Sequence, residues 1–109
     1  MATTYKVLGQ SNPSATTATT LYTCPAATQT VISTITVTNQ AGTSGTYRIA
    51  IRPNGATLAT EQYIVYDATI SANSVTAYTL GITIDASDVV TVYASSTDFS
   101  FNAFGSEIA

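Results

Sequence analysis

Six carboxylates, three cationic side chains and one thiol are the ionisable side chains besides tyrosine in this 109-residue sequence, which contains no histidine. That absence removes the group that most often moves protons near neutral pH. It also forbids Ser–His–Asp and Cys–His arrangements. Paired carboxylates can hydrolyse glycosides without histidine. The acids here are Glu61, Asp67, Asp85, Asp88, Asp98 and Glu107, and most fall at strand ends or in turns, where Asp bonds nearby backbone N–H groups. Asp85-x-x-Asp88 places two carboxylates in one loop, short of the about six to eight oxygens that calcium takes. An Asx turn is the expected reading. The sequence has no Cys/His cluster for zinc and no glycine-rich phosphate loop. Lys6, Arg48 and Arg52 are too few for a nucleic-acid footprint. The expectation is a protein that is not an enzyme, with no cofactor, no metal and no nucleic-acid partner.

Three further features bear on binding. Arg48 and Arg52 lie on one face of a strand, either side of Ala50; they are expected in solvent or against acidic groups of a neighbouring subunit, since Arg is enriched at interfaces. Phe104, and one of the close pair Tyr63/Tyr66, should point away from the core, where a half-buried ring suits a protein interface or a carbohydrate platform. Cys24 is a lone thiol before Pro25. Free cysteines are usually buried and inert, but a strand end beside a loop also admits a disulfide to another subunit.

The elements that position these residues follow a period of two, with no sustained helical pattern. About eight strands are expected: Tyr5–Gln10, Thr19–Cys24, Gln29–Thr38, Thr46–Arg52, Glu61–Asp67, Ser74–Leu80, Val89–Ala94, and Phe99 towards Ile108. Val31, Ile35 and Val37 should share the inner face of the third. Tyr47, Ile49 and Ile51 should share that of the fourth, with Phe99 and Phe101 also inward. Residues 39–45 read as a flexible hairpin loop. Turn spacings of about 8–12 residues indicate an antiparallel sandwich or barrel. A single all-β domain with a jelly-roll-like sandwich is preferred.

Composition adds the surface. Charged residues make up 8% of the chain, against about 25% in soluble domains, and the net charge is −3. Threonine and serine supply the missing polarity, and Thr, Val, Ile and Tyr suit a pleated sheet. A neutral hydroxyl-rich surface keeps copies apart only weakly, which favours assembly into a homo-oligomer. The N-terminus lacks the pattern of a signal peptide, and no apolar run approaches the ~20 residues of a membrane helix. Synthesis in a cytoplasm without a membrane partner is expected.

Four segments, Met1–Gln10 (MATTYKVLGQ), Leu21–Thr34 (LYTCPAATQTVIST), Tyr47–Gly55 (YRIAIRPNG) and Val90–Ala109, resemble small virion structural proteins of tailed bacteriophages, including marine cyanophages. The likeness spans essentially the whole chain, although Cys24 stands where those proteins carry Val. It implies a β-sandwich subunit on the particle exterior, as a capsid decoration, collar or tail-associated protein contacting capsid, neck or tail sheath. A trimer is the analogous assembly. The alternative is a glycan- or host-receptor-binding module of a tail fibre.

Overall fold

Alternating β-branched and aromatic residues between turn signals form nine strands in the computed structural model, which describes residues 2–109. They are β1 (Thr3–Ser11), β2 (Thr19–Thr23), β3 (Gln29–Asn39), β4 (Gly45–Arg52), β5 (Tyr63–Ile70), β6 (Ser74–Tyr78), β7 (Ile82–Ile84), β8 (Val89–Ala94) and β9 (Phe99–Ile108). Two single-turn 3-10 segments, Pro53–Gly55 and Thr60–Gln62, lie between β4 and β5. No helix among the described residues is long and apolar enough to cross a membrane.

The pairing is that of a long ribbon folded on itself. β4 pairs with β5, β3 with β6 and β7, β2 with β8, and β1 with β9, all antiparallel. Rolling that ribbon places successive pairs in alternate sheets. One sheet has the order β1-β9-β3-β6 with β7 also on β3, and the other β2-β8-β4-β5. This is the expected jelly roll. The radius of gyration, 13.6 Å, is close to the ~13 Å of a compact chain of this length. The ninth strand arises because β6 and β7 are one interrupted edge, both lying along β3.

Residues 39–45 do not close a hairpin within one sheet; they carry the chain from β3 to β4 in the opposite sheet. Buried Asn39 anchors this crossing. Its Nδ2 donates to the carbonyls of Thr43, Ile70 and Ser71, and its Oδ1 accepts from the Ala41 N–H at 2.9 Å.

Between the sheets, Ile32, Ile35, Val37, Ile49, Val90 and Val92 surround Tyr47, Phe99 and Phe101. Tyr47 meets Phe101 edge-on with ring centroids 6.3 Å apart, and its hydroxyl bonds that of Tyr78. Edge-to-face contact suits the ring quadrupoles, and the hydroxyl pair satisfies the polar tip of an otherwise buried ring. The inner-face expectation fails at Val31. A bulge at Ser33, between the Ile32–Gly105 and Thr34–Phe104 pairs, shifts the alternation by one, so Ile32 enters the core and Val31 faces out. Ile51 is only partly buried.

The outer side of the four-stranded sheet is not bare. Ala50 and Thr91, directly paired across β4 and β8, are both buried. The β4–β5 connection returns close to this side, and Arg52 ties it down: its guanidinium donates to the carbonyls of Ala56 at 2.7 Å and Gly55 at 2.9 Å.

Candidate functional site

The two outer faces carry different chemistry. On the five-stranded sheet, Val7 of β1 lies opposite Phe104 of β9, and Tyr5 lies opposite Ser106, which in turn pairs with Val31 of β3. Paired residues of adjacent strands share a face. Tyr5 is 83% exposed, Val7 49% and Phe104 36%. Tyr5, Val31 and Phe104 also line one shallow depression with Lys6, Ser33, Gly105 and Ser106. Two bulges shape this region, at Leu8 in β1 and Ser33 in β3, on either side of Phe104. The bulged Ser33 hydroxyl donates to the Phe104 carbonyl at 3.0 Å.

The four-stranded sheet carries a cluster of rings around Arg48. The Arg48 guanidinium carbon lies 4.3 Å from the Tyr66 ring centroid and 4.1 Å from that of Tyr93. Its Nε donates to Asp67 Oδ1 at 2.6 Å and its Nη2 to Oδ2 at 3.3 Å. Tyr66 stands edge-to-face with Tyr63, centroids 4.9 Å apart and planes at 82°. Tyr63 and Tyr66, with Leu58, Ala59 and Thr60, line an open groove of about 680 Å³.

Two irregularities in β5 produce this gathering. Ile64 is an extra residue between the Ala50–Tyr63 and Ile49–Val65 pairs. Tyr66 and Asp67 together oppose the single residue Arg48, between the Ile49–Val65 and Tyr47–Ala68 pairs. Asp67 has a left-handed backbone, φ 51°, a region where Asp is enriched among non-glycine residues.

Arg48 and Arg52 do share the outward face of β4, but each finds its partners within the chain: Asp67 for Arg48, loop carbonyls for Arg52. Of the close tyrosines, both border the same groove, where regular alternation sends one to each face. Phe104 is outward as expected. Tyr93, Asp67, Tyr5 and Val7 were not singled out from the sequence. Alternation in β8 could have found Tyr93, since Val90 and Val92 are its inward neighbours; Asp67 depends on the bulge and left no such signal.

No protein-family model, curated protein or solved structure matches this chain.

Asp85 and Asp88 do lie in a turn and bond backbone N–H groups, but the turn is closed by the Asp88 N–H on the Asp85 carbonyl at 3.1 Å and is not the expected Asx turn. Asp88 accepts from the N–H groups of Asn54 and Asp85, each at 2.8 Å, and Asp85 from that of Ala86. Among the described residues, no three His, Cys, Asp or Glu side chains come together as a metal-holding group.

Cys24 is 2% exposed. Its Sγ donates to the Thr28 carbonyl at 3.3 Å and lies 3.2 Å from Thr30 Oγ1. Standing at a strand end does not expose it, because β2 enters the interior before Pro25. The buried thiol is the one usual for a free cysteine, and the accessibility that admitted an intersubunit disulfide through Cys24 is absent. Native protein is expected to resist iodoacetamide and to take up one label only in denaturant, as read by intact mass. Rapid labelling of the folded chain would restore the disulfide reading.

Thr30 links Cys24 to a polar end of the interior. The Tyr22 hydroxyl lies 2.8 Å from Thr30 Oγ1 and donates to Glu107 Oε2 at 2.5 Å, while Lys6 Nζ reaches Glu107 Oε1 at 3.1 Å. These bonds, chiefly that from Tyr22, hold the Glu107 carboxyl below its ordinary range. Burial, then the Glu107 bond, pushes the Tyr22 phenol above its own. A carboxyl with a depressed folded pKa adds stability above its unfolded value, about 4.3, and loses it as pH falls through the folded value. Wild-type urea midpoints are therefore expected to fall more steeply than those of Glu107→Gln between about pH 5 and 3. Parallel curves would remove Glu107 from the acid response.

Proposed function

We propose that this chain is a non-catalytic structural subunit of a tailed-bacteriophage particle, docked on the exterior as a capsid decoration, collar or tail-associated protein that strengthens or bridges larger components. The observation that carries the reading is the outward patch of Tyr5, Val7, Val31 and Phe104. Apolar surface rimmed by polar residues marks protein–protein contact, and Tyr and Phe are enriched there. Gln10, Asn102, Ser33 and Ser106 supply uncharged rim groups, and the one charged lining residue, Lys6, is already paired with Glu107, so docking strips few unpaired charges of water. The resemblance of the four segments to virion proteins supports the setting. Jelly rolls occur in viral capsid domains, although fold alone carries no function.

The mechanism is mass action: a subunit that binds only the assembled particle stabilises that state. A homo-oligomer, by analogy a trimer, contacts several neighbours at once and gains effective concentration at each. The chain is made in the host cytoplasm and resides in the virion, with capsid, neck or tail-sheath proteins as partners. Particles lacking the subunit are expected to lose infectivity faster under heat or osmotic shock, as counted by plaque titre. Equal robustness would contradict this reading, and equal robustness with lost adsorption to cells would replace it with the host-glycan module of a tail fibre.

A further inference from the structure

The groove beside Arg48 lies on the sheet opposite the docking face, so a subunit seated through Phe104 leaves it open. Its form depends on two bulges and a non-glycine residue at positive φ. Bulges are over-represented beside functional sites, and strained backbone tends to cluster there. From the chemistry of its walls we infer that this groove binds an uncharged saccharide, one pyranose unit packed against the Tyr63–Tyr66 pair.

Charge selects against ionic ligands. Lys6 is paired with Glu107 and Arg48 with Asp67, while Arg52 keeps its charge but is engaged by two loop carbonyls. None of the three lines the groove, so an anion finds no cation among its walls. A cation would approach Tyr66 against the guanidinium already stacked on that ring. The remaining class is neutral.

Shape and polarity narrow it further. The Tyr63 and Tyr66 planes stand at 82°, and Tyr66 is 59% exposed. The two rings touch edge-to-face and so form one short aromatic platform, which takes a single compact ring with apolar C–H faces. A proline-rich peptide needs a longer aromatic-lined groove to follow its extended helix. The polar groups beside the platform suit hydroxyls, which both donate and accept. Thr60 offers a hydroxyl, the Asp67 oxygens retain accepting capacity, and Arg48 Nη1 makes no bond to Asp67. Apolar walls with a few placed polar groups are the usual make-up of a small-ligand site.

Preorganisation supports the same assignment. Arg48 is held on both faces by rings and along one edge by a carboxylate. Little side-chain freedom remains to be lost when a ligand arrives. This inference does not rest on the virion role, and either can fail without the other.

The test is an amide-resolved NMR titration of the full chain, labelled with nitrogen-15. Lactose, maltotriose, cellotriose, mannotriose and chitotriose are each added to about 10 mM, the range where weak stacking sites are read. At least one is expected to give saturable shifts confined to residues 58–68, Arg48 and Tyr93. Saturation transfer from tyrosine ring protons to that sugar's C–H protons is expected in the wild-type chain and needs no variant. Tyr66→Ala, or Tyr63→Ser should the first lose its dispersed spectrum, is expected to weaken binding at least about tenfold. Phe104→Ala is expected to leave it unchanged. Absence of shifts with every sugar, or shifts elsewhere on the chain, would overturn the assignment. Shifts in the groove with a proline decamer and not with any sugar would also overturn it, in favour of a peptide site.

Discussion

Gly105→Ala is expected to cost more than about 4 kcal/mol, a size reached only when a substitution breaks something specific. Gly105 lies in β9 opposite Ile32, beside the Ser33 bulge. A Cβ added there would sit 1.9 Å from the Val31 carbonyl oxygen and 3.0 Å from the Ile32 Cα. Both are backbone atoms of a paired strand, so no side-chain rotation relieves the clash. β3 and β9 must part at that point, and with them the strands that carry Val31 and Phe104. Against a total stability of about 5–15 kcal/mol, the variant should unfold at least about 15 °C below wild type, or fail to accumulate as folded protein. Thermal unfolding followed by circular dichroism measures it. A midpoint within about 3 °C of wild type would mean that the β3–β9 approach is looser than described.

Tyr47→Ala is the second large effect, and Tyr47→Phe separates its causes. The ring is buried between the sheets, against Phe99, Phe101 and Tyr78. Removing it loses the transfer energy of the ring and leaves a cavity, about 3–5 kcal/mol together. Removing only the hydroxyl loses its bond to Tyr78, worth about 1 kcal/mol. Urea unfolding of both variants is expected to show this ordering. A Phe variant as unstable as the Ala variant would assign the site's importance to the hydroxyl pair instead of ring packing.

The sequence made the strands legible because period two and turn residues report directly on backbone pleat and chain reversal. It also placed Tyr47, Phe99 and Phe101 inside, Phe104 outside, and Asp85 and Asp88 in their turn. The bulges were not legible. Nothing in the types of Ser33 or Ile64 announces an extra residue, because a bulge is set by how two distant strands meet. Each one inverts the faces beyond it, which is why Val31 faces out and why Tyr63 and Tyr66 meet. The burial of Ala50 and Thr91 escaped for a related reason: it belongs to a long strand connection returning near the sheet. The Tyr22–Glu107 bond joins residues far apart in the chain, where local patterns have no reach. Arg48 was correctly set outward, but its carboxylate came from its own edge strand, at a bulge that alternation cannot foresee.

Docking through the outer face of the five-stranded sheet is tested most directly by add-back to particles lacking the subunit. Purified wild-type chain and a Val7→Asp/Phe104→Asp variant are each mixed with such particles and sedimented, with bound protein quantified. Both positions are outward, so the variant is expected to keep the wild-type circular dichroism spectrum. Wild-type chain should co-sediment in saturable amount, and the variant at least about tenfold less at equal concentration, since a charge in a docked apolar patch has no partner. Equal binding by a folded variant would contradict the account.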